Sequence, residues 1–258
     1  MSDKALNASD PSDAVASSPY ALYYWKGIAG RGDTIRLLFV EAEQPFQDVE
    51  ITFEQKEKLR KEHEASGRFP YFAVPFLVHQ RKASELVVSQ TPVIARYLAQ
   101  QFDLYPTELE HQLYADSLMA GVVDWTADGH DLYHPIHRNH SYESQKEEAK
   151  PFVHYYQTDR MPKWATFFES VLVHGYGEAS AVKEDTELYL VNRQLSYVDL
   201  CLFHLVDGVA FQCPEAFRDL DCPLLKRFHQ QIGSRPRIQA YLKEHRQRLP
   251  FTGTGPTF

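Results

Sequence analysis

The sequence lacks any run of eighteen apolar residues, so it predicts no membrane-spanning helix and no membrane partner. Cysteine is scarce, since 258 residues include only Cys201, Cys213 and Cys222, which do not have the close spacing of a metal site. We therefore expect reduced thiols and a cytoplasmic protein. The 27 Lys and Arg are outnumbered by 35 Asp and Glu. The net charge of −8 argues against a nucleic-acid partner, because a phosphate backbone binds a concentrated basic face.

The first nineteen residues also lack the features of a targeting segment. Residues 1–19 are polar and rich in small side chains, with neither an apolar core nor clustered arginines, so we expect a disordered tail there. The whole chain is 43% hydrophobic and 24% charged, which is ordinary for a globular protein with a buried core.

A β-hairpin followed by a helix is predicted between residues 74 and 98. Two apolar runs, 74–78 and 86–88, are separated by a polar turn, and Ser89-Gln90-Thr91-Pro92 then supplies hydroxyl caps and a proline suited to a first helical turn. A helix N-terminus has unpaired N–H groups and partial positive charge, so we expect an anion site here. Pro75 has no N–H for a sheet ladder, which indicates an edge, a bulge or a cis bond.

These residues resemble the glutathione-binding half of cytosolic glutathione transferases. The shared features are a V-P strand start, a hairpin, and Gln-Ser/Thr leading into an I-x-x-Y-L helix. The resemblance implies that Pro75 is cis and that Val74 pairs by its main chain with the cysteinyl part of glutathione. It also implies that Gln90 and Thr91 hold the γ-glutamyl carboxylate, with Thr91 where serine is more usual.

The start of the chain resembles the tyrosine-type members of this family, whose first strand ends in a catalytic tyrosine. A strand beginning near Tyr20 leads through the glycine-rich turn A-G-R-G-D into an apolar helix, and Asp33 is a candidate cap for that helix. Matching from Tyr20 rightwards places Tyr24 on the catalytic position with one extra loop residue, whereas matching from Gly30 leftwards places Trp25 there. We favour Tyr24, because a loop absorbs an insertion more readily than a strand does.

A phenol at this position meets a definite chemical need. A thiol with a pKa near 8.5 is mostly protonated at pH 7, and a hydroxyl that donates a hydrogen bond to the thiolate stabilises the charged form. One such charge-assisted bond contributes about 1.5–3 kcal/mol, which corresponds to roughly one to two pKa units. Tyr24 is therefore sufficient as the thiolate donor. The alternative is a strand tyrosine packed in the core, as we expect for Tyr20 and Tyr23.

The resemblance extends over two domains. It implies a thioredoxin-like α/β domain at 20–102, a linker at 103–107, an all-α domain at 108–249, and a tail at 250–258. Ser196 and Asp199 have the spacing of a capping box and resemble the family's S-x-A-D folding signature. Asp124 best matches an acidic residue that reaches the γ-glutamyl amine across a dimer, although an ordinary exposed aspartate explains it nearly as well.

Two further groups of residues are weighed without being assigned. Histidines follow one another at the end of the first long helix of the second half, but a proline interrupts them and no cysteine accompanies them, so we expect no metal site: His130, His134, His137 and His140. The basic partner of the glycine carboxylate of glutathione has four candidates, none of which is preferred: Lys56, Lys58, Arg60 and Arg68.

The function implied is conjugation of the glutathione thiolate to small hydrophobic electrophiles, with glutathione as co-substrate, no metal, and a homodimer as the assembly. Three alternatives use the same site: a glutathione-dependent isomerase, a peroxidase, or a biosynthetic tailoring enzyme. A fourth is a non-catalytic binding or scaffold protein of the same fold. A cysteine-type enzyme is disfavoured, because no cysteine precedes Cys201.

Overall fold

A computed structural model describes residues 18–245 and 256–258 of the protein. Most of the predicted N-terminal tail, residues 1–17, lies outside the described residues, and so do residues 246–255. Within the described part, no helix is long and apolar enough to cross a lipid bilayer.

The first half is an α/β unit built on a four-stranded mixed sheet in the order β2-β1-β3-β4. Strand β1 is parallel to β2 and antiparallel to β3, and β3 is antiparallel to β4. The elements are β1 (Tyr20–Trp25), α1 (Gly30–Glu41), β2 (Gln47–Ile51), α2 (Phe53–Ala65), β3 (Phe76–Arg81), β4 (Ser84–Ser89) and α3 (Thr91–Gln101). The predicted β-loop-α unit, hairpin and following helix are all present.

Strand β1 is buried on alternate residues, as a strand packed on one face should be. Its residues Tyr20, Leu22 and Tyr24 are buried. The intervening Tyr23 and Trp25 are half-exposed on the opposite face, where the Tyr23 ring stacks on Phe76 with 4.5 Å between centroids. Tyr24 therefore points the other way from its two aromatic neighbours.

Helix α1 is fixed by a buried ionic network rather than by a side-chain cap. Asp33 does not cap the helix as predicted: the cap position is Ala29, which has no side-chain oxygen to accept a bond. Asp33 lies instead in the first turn, 3.3 Å from the Arg36 guanidinium, and accepts a hydrogen bond of 2.6 Å from the Tyr241 hydroxyl. Fully buried Arg36 also pairs with Asp48 at 2.8 Å, so this network joins β2, α1 and the C-terminal helix.

The second half is all helical. Its helices are α4 (Leu109–Asp131), α5 (Lys146–Tyr155), α6 (Met161–Tyr176), α7 (Tyr197–Gln212), α8 (Pro214–Asp219), α9 (Pro223–Gly233) and α10 (Pro236–His245). Helix α7 is buried on nearly all sides and packs against both α4 and α1. The predicted fold class, a thioredoxin-like domain followed by a helical bundle, is confirmed.

Helices α5 and α6 are joined by a π-helical turn at Tyr156–Arg160, so the chain is continuously helical from Lys146 to Tyr176. Pro162 lies in the first turn of α6 and has no N–H to donate back to the preceding turn. The longer-range hydrogen bonding of a π-turn accommodates that missing donor.

Three residues of the predicted C-terminal tail 250–258 are described, and they pack on the all-α unit. The Phe258 N–H donates to the Gln212 carbonyl at 2.6 Å, and its ring lies 5.1 Å from that of Tyr133. The Tyr133 hydroxyl donates to the Pro256 carbonyl at 2.8 Å.

Candidate active site

The sheet register brings four of the predicted site residues to one end of the sheet. Tyr23 pairs with Phe76 in the antiparallel register, so Tyr24 and Pro75, one residue further along, lie at the same end of the sheet. Phe76 also pairs with Ser89, so Gln90 and Thr91 follow β4 at that end.

The Tyr24 side chain lies under the first turn of α1. Its hydroxyl oxygen accepts a hydrogen bond of 2.9 Å from the backbone N–H of Arg31. Among the described residues, no protein group accepts the proton of this hydroxyl. A phenol that accepts one bond and keeps its own proton available is a suitable donor to a ligand anion.

Burial raises the pKa of Tyr24 above its ordinary value, and the Arg31 N–H opposes that rise. The phenol therefore stays protonated at neutral pH, which a hydrogen-bond donor requires. Neither neighbour offers this arrangement: the Tyr23 ring stacks on Phe76, and the Trp25 ring stacks on Phe53 with 6.3 Å between centroids. Of the two alignments considered, the geometry favours the one that uses Tyr24.

Gly30 and Gly32 permit this close approach. A β-carbon on Gly30 would overlap the Tyr24 hydroxyl oxygen, and one on Gly32 would lie 2.5 Å from the Tyr24 ring. Gly30 also has a φ of 40°, in the left-handed region that favours glycine. Glycine is required at both positions by the phenol beneath them.

The Val74–Pro75 peptide bond is cis, as the resemblance implied. Val74 is buried in one apolar cluster with Tyr24 and Phe76. Val74, which is predicted to pair with glutathione, and Tyr24, which is predicted to activate its thiol, therefore belong to the same cluster.

Gln90 lies at the cap position of α3 with a φ of 72°, uncommon for a residue other than glycine. The predicted hydroxyl capping does not occur: the cap residue is Gln90, and its side chain makes no hydrogen bond to the first turn. The helix N-terminus is thus left without a side-chain cap, and Thr91 beside it is nearly buried. An uncapped helix start next to a strained backbone position is the kind of place where an anionic group binds.

Both halves of the chain match family models of known proteins. Residues 20–100 match the model of the glutathione S-transferase N-terminal domain, and residues 130–245 match that of the glutathione S-transferase C-terminal domain. The chain belongs to the glutathione S-transferase family.

Individual glutathione S-transferases resemble the chain along nearly its whole length. The Plasmodium falciparum (isolate 3D7) glutathione S-transferase is 24% identical over 231 residues, which are 88% of this chain and 96% of the relative. Rat glutathione S-transferase alpha-4 is 27% identical over 232 residues, which are 89% of this chain and 90% of that protein. A pi-class glutathione S-transferase structure from Onchocerca volvulus superimposes with a TM-score of 0.71 at 24% identity, covering 93% of this chain and all of that one.

Asp124, the remaining site residue suggested by resemblance to glutathione S-transferases, is exposed on α4. It belongs to the helical half of the chain, whereas Tyr24 and Gln90 belong to the α/β half. The next acidic residue along the helix, Asp128, accepts bonds from Arg160 at 3.0 Å and from the Trp164 indole at 2.9 Å.

The four histidines weighed as a metal site form two pairs of neighbouring rings. The rings of His130 and His134 are 4.7 Å apart, and those of His137 and His140 are 4.5 Å apart. In the part of the chain that the structure describes, no group of three or more His, Cys, Asp or Glu has a metal-binding arrangement. Burial, reinforced by His134, lowers the pKa of His130 to about 4, so this ring is neutral at physiological pH.

None of the four basic candidates for the glycine carboxylate is singled out. Each already has an acidic partner: Lys56 and Arg60 pair with Glu57, Lys58 pairs with Glu62, and Arg68 pairs with Glu85.

Sequence reasoning missed the role of the Arg31 main chain. It is the backbone N–H of Arg31, and not a side chain, that donates to the Tyr24 hydroxyl. A pattern of side chains in the sequence does not indicate which backbone N–H group will act as a hydrogen-bond donor. The available signal was the glycine on either side of Arg31, which allows the backbone to come close to another group.

We predict that Gly30→Ala lowers kcat/KM at least about tenfold, because the added methyl group displaces the phenol. It should also lower the free energy of unfolding by about 1–3 kcal/mol. Steady-state kinetics and denaturant melts measure both quantities. Gly27→Ala is the matched control, since Gly27 has a similar positive φ of 72° but no atom lies within 4 Å of where its methyl group would stand. Equal effects of the two substitutions would contradict the role assigned to Gly30.

Proposed function

We propose that the protein is a glutathione transferase that conjugates the glutathione thiolate to small hydrophobic electrophiles. The observation that carries this proposal is the Tyr24 hydroxyl, held by the Arg31 N–H. Tyr24 lies at the end of β1 next to Pro75, and Gln90 follows β4 at the same end of the sheet. The main chain at Val74 and the uncapped start of α3 would bind glutathione, and the Tyr24 phenol would activate its thiol.

In this proposal the tripeptide pairs by its main chain with Val74, in the segment just before β3. Its γ-glutamyl carboxylate lies at the start of α3, where Gln90 and Thr91 donate to it and the helix dipole stabilises the negative charge. These contacts fix the position of the cysteinyl sulfur beside Tyr24.

The chemical step then needs little beyond position and charge stabilisation. The thiol proton leaves to solvent, and the Tyr24 O–H donates to the sulfur, which keeps the thiolate populated at neutral pH. The thiolate attacks an electrophilic carbon, forming a carbon–sulfur bond. In a substitution, the leaving group departs with its bonding electron pair. Removal of reactive electrophiles in the cytoplasm is the cellular role that fits this chemistry.

We also propose that the protein is a homodimer. Several large apolar side chains are exposed to solvent: Phe69 is 86% exposed, Phe72 is 84% exposed, and Leu109 and Leu113 on α4 are 69% and 59% exposed. Asp124 lies on the same exposed stripe of α4 as the two leucines, at helical spacing from Leu113. A second copy covering this stripe would bring its Asp124 near the γ-glutamyl amine. A monomer in sedimentation equilibrium at micromolar concentration would contradict this assembly.

The function is tested with the purified wild-type protein. We expect retention on immobilised glutathione, elution by free glutathione, and conjugation of 1-chloro-2,4-dinitrobenzene followed by absorbance. Retention without turnover would identify a non-catalytic binder. Absence of both would contradict the proposal.

A further inference from the structure

One contact from the helical domain meets the Tyr24 hydrogen bond at the same peptide group. His204 lies on α7, is 7% exposed, and its Nε2 is 2.7 Å from the Gly30 carbonyl oxygen. A carbonyl oxygen can only accept, so Nε2 carries the proton and donates it. The next atom of that peptide unit, the Arg31 nitrogen, donates in turn to the Tyr24 hydroxyl at 2.9 Å.

We propose that His204 is a positioning residue for thiol activation, which acts on Tyr24 through the Gly30–Arg31 peptide. This inference rests on the proposed function, because it concerns how the phenol of that site is held. His204 does not touch the sulfur. Its hydrogen bond fixes the plane of the peptide whose N–H is directed at the phenolic oxygen.

The hydrogen bond from His204 acts on a peptide at the glycine turn that begins α1. Gly30 has a left-handed φ and no side chain of its own, so a hydrogen bond from outside the first turn of α1 restricts the orientation of its peptide further. The preceding carbonyl, Ala29, is also held, by the Asp33 N–H at 3.0 Å and by Arg36 at 3.5 Å. His204 is the group in the helical domain that holds the carbonyl between Ala29 and Arg31.

Hydrogen bonds in series also strengthen one another. A peptide whose carbonyl accepts a bond becomes a better N–H donor, and a hydroxyl that accepts a bond becomes a better O–H donor. The series from His204 through the peptide to Tyr24 therefore favours donation to a thiolate. It also couples the helical domain to the group that activates glutathione.

Substitution of His204 should change catalysis more than glutathione binding. We expect His204→Leu to lower kcat roughly threefold to tenfold and to leave KM for glutathione within about twofold, because the tripeptide is held by other residues. The pKa of the bound thiol, followed by the ultraviolet absorbance of the thiolate, should rise by about half a unit to one unit.

Two amide variants separate positioning from packing. In His204→Gln the side-chain N–H reaches about as far as Nε2, so kcat and the bound-thiol pKa should return close to wild type. In His204→Asn the amide is one carbon shorter and cannot reach, so this variant should behave like His204→Leu. If His204→Leu does not fold, the comparison of Gln with Asn decides the question.

The control is His229→Leu, which removes another half-buried histidine that contacts α7. Its Nε2 lies 3.0 Å from Asp207 and not at the Gly30 carbonyl. It should leave kcat and the thiol pKa unchanged. The test applies when wild type conjugates and Tyr24→Phe is impaired. Under these conditions the inference is overturned if His204→Gln and His204→Asn have equal kcat and equal thiol pKa. It is also overturned if His204→Leu matches wild type in both quantities. A wild-type protein without conjugation would contradict the proposed function instead.

Discussion

Tyr24→Phe should lower kcat/KM for glutathione conjugation by roughly tenfold to a hundredfold. The substitution removes one oxygen and its proton, and a charge-assisted hydrogen bond to a thiolate contributes about 1.5–3 kcal/mol. The ring remains, so its packing beneath Gly32 and the fold are preserved. Steady-state kinetics with 1-chloro-2,4-dinitrobenzene measure the change.

Tyr23→Phe is the matched control, because Tyr23 is the neighbouring tyrosine of the same strand and faces the opposite side of the sheet. It should keep kcat/KM within about twofold of wild type. If both variants retained full activity, the donor would have to be sought elsewhere, with the nearly buried hydroxyl of Thr34 examined next.

Asp199→Ala should be the most destabilising of the substitutions considered. Asp199 is fully buried and accepts three hydrogen bonds: Leu190 N–H at 2.8 Å, Ser196 N–H at 2.7 Å, and the Ser196 hydroxyl at 2.8 Å. Removing the carboxylate leaves buried donors without an acceptor, at about 1–3 kcal/mol each. We expect the free energy of unfolding to fall by about 3 kcal/mol or more at neutral pH, with kcat of the folded fraction unchanged.

The pH dependence of this effect has a definite sign. Burial raises the pKa of Asp199 to about 6 in the folded protein, whereas an unfolded aspartate titrates near 3.9. Between these values the folded state binds a proton that the unfolded state has released, so the contribution of Asp199 to stability is full below about pH 4 and declines as the pH rises through 6. The alanine variant lacks this decline. Its destabilisation relative to wild type should therefore be larger at pH 4.5 than at pH 7.5, by roughly 2 kcal/mol.

Denaturant melts of both proteins at the two pH values measure the difference. Glu215→Ala is the control, since Glu215 is an exposed acid in the first turn of α8 and should change stability by less than about 1 kcal/mol. An Asp199→Ala effect that is equal at both pH values, or larger at pH 7.5, would contradict the assigned titration.

The sequence predicts the fold well because local signals and family motifs agree. Alternation in β1, the hairpin after Pro75 and the Ser196–Asp199 spacing each have a local physical cause, and each is present in the structure. The sequence is less reliable where a long-range partner decides the outcome. Asp33 is a residue type typical of a helix cap, but Arg36 and the distant Tyr241 take it into a buried network instead.

The sequence predicts which side chains belong to the candidate site, but it does not predict the backbone contacts that hold them. Tyr24, Gln90 and Thr91 are predicted from motif and spacing, and the strand register places their backbone at one end of the sheet. The Arg31 N–H and the His204 bond depend on how a glycine turn meets a helix 174 residues away, which no local pattern encodes. Asp124 and the basic partner of the glycine carboxylate depend on a ligand or a second copy, so they stay predictions.

Titration of the glutathione thiol bound to the wild-type protein and to Tyr24→Phe, by the ultraviolet absorbance of the thiolate, tests the central claim most directly. The account predicts a bound-thiol pKa roughly one to two units below that of free glutathione in the wild type. In Tyr24→Phe most of that lowering should be lost. The same lowered pKa in both proteins would show that the Tyr24 hydroxyl does not stabilise the thiolate.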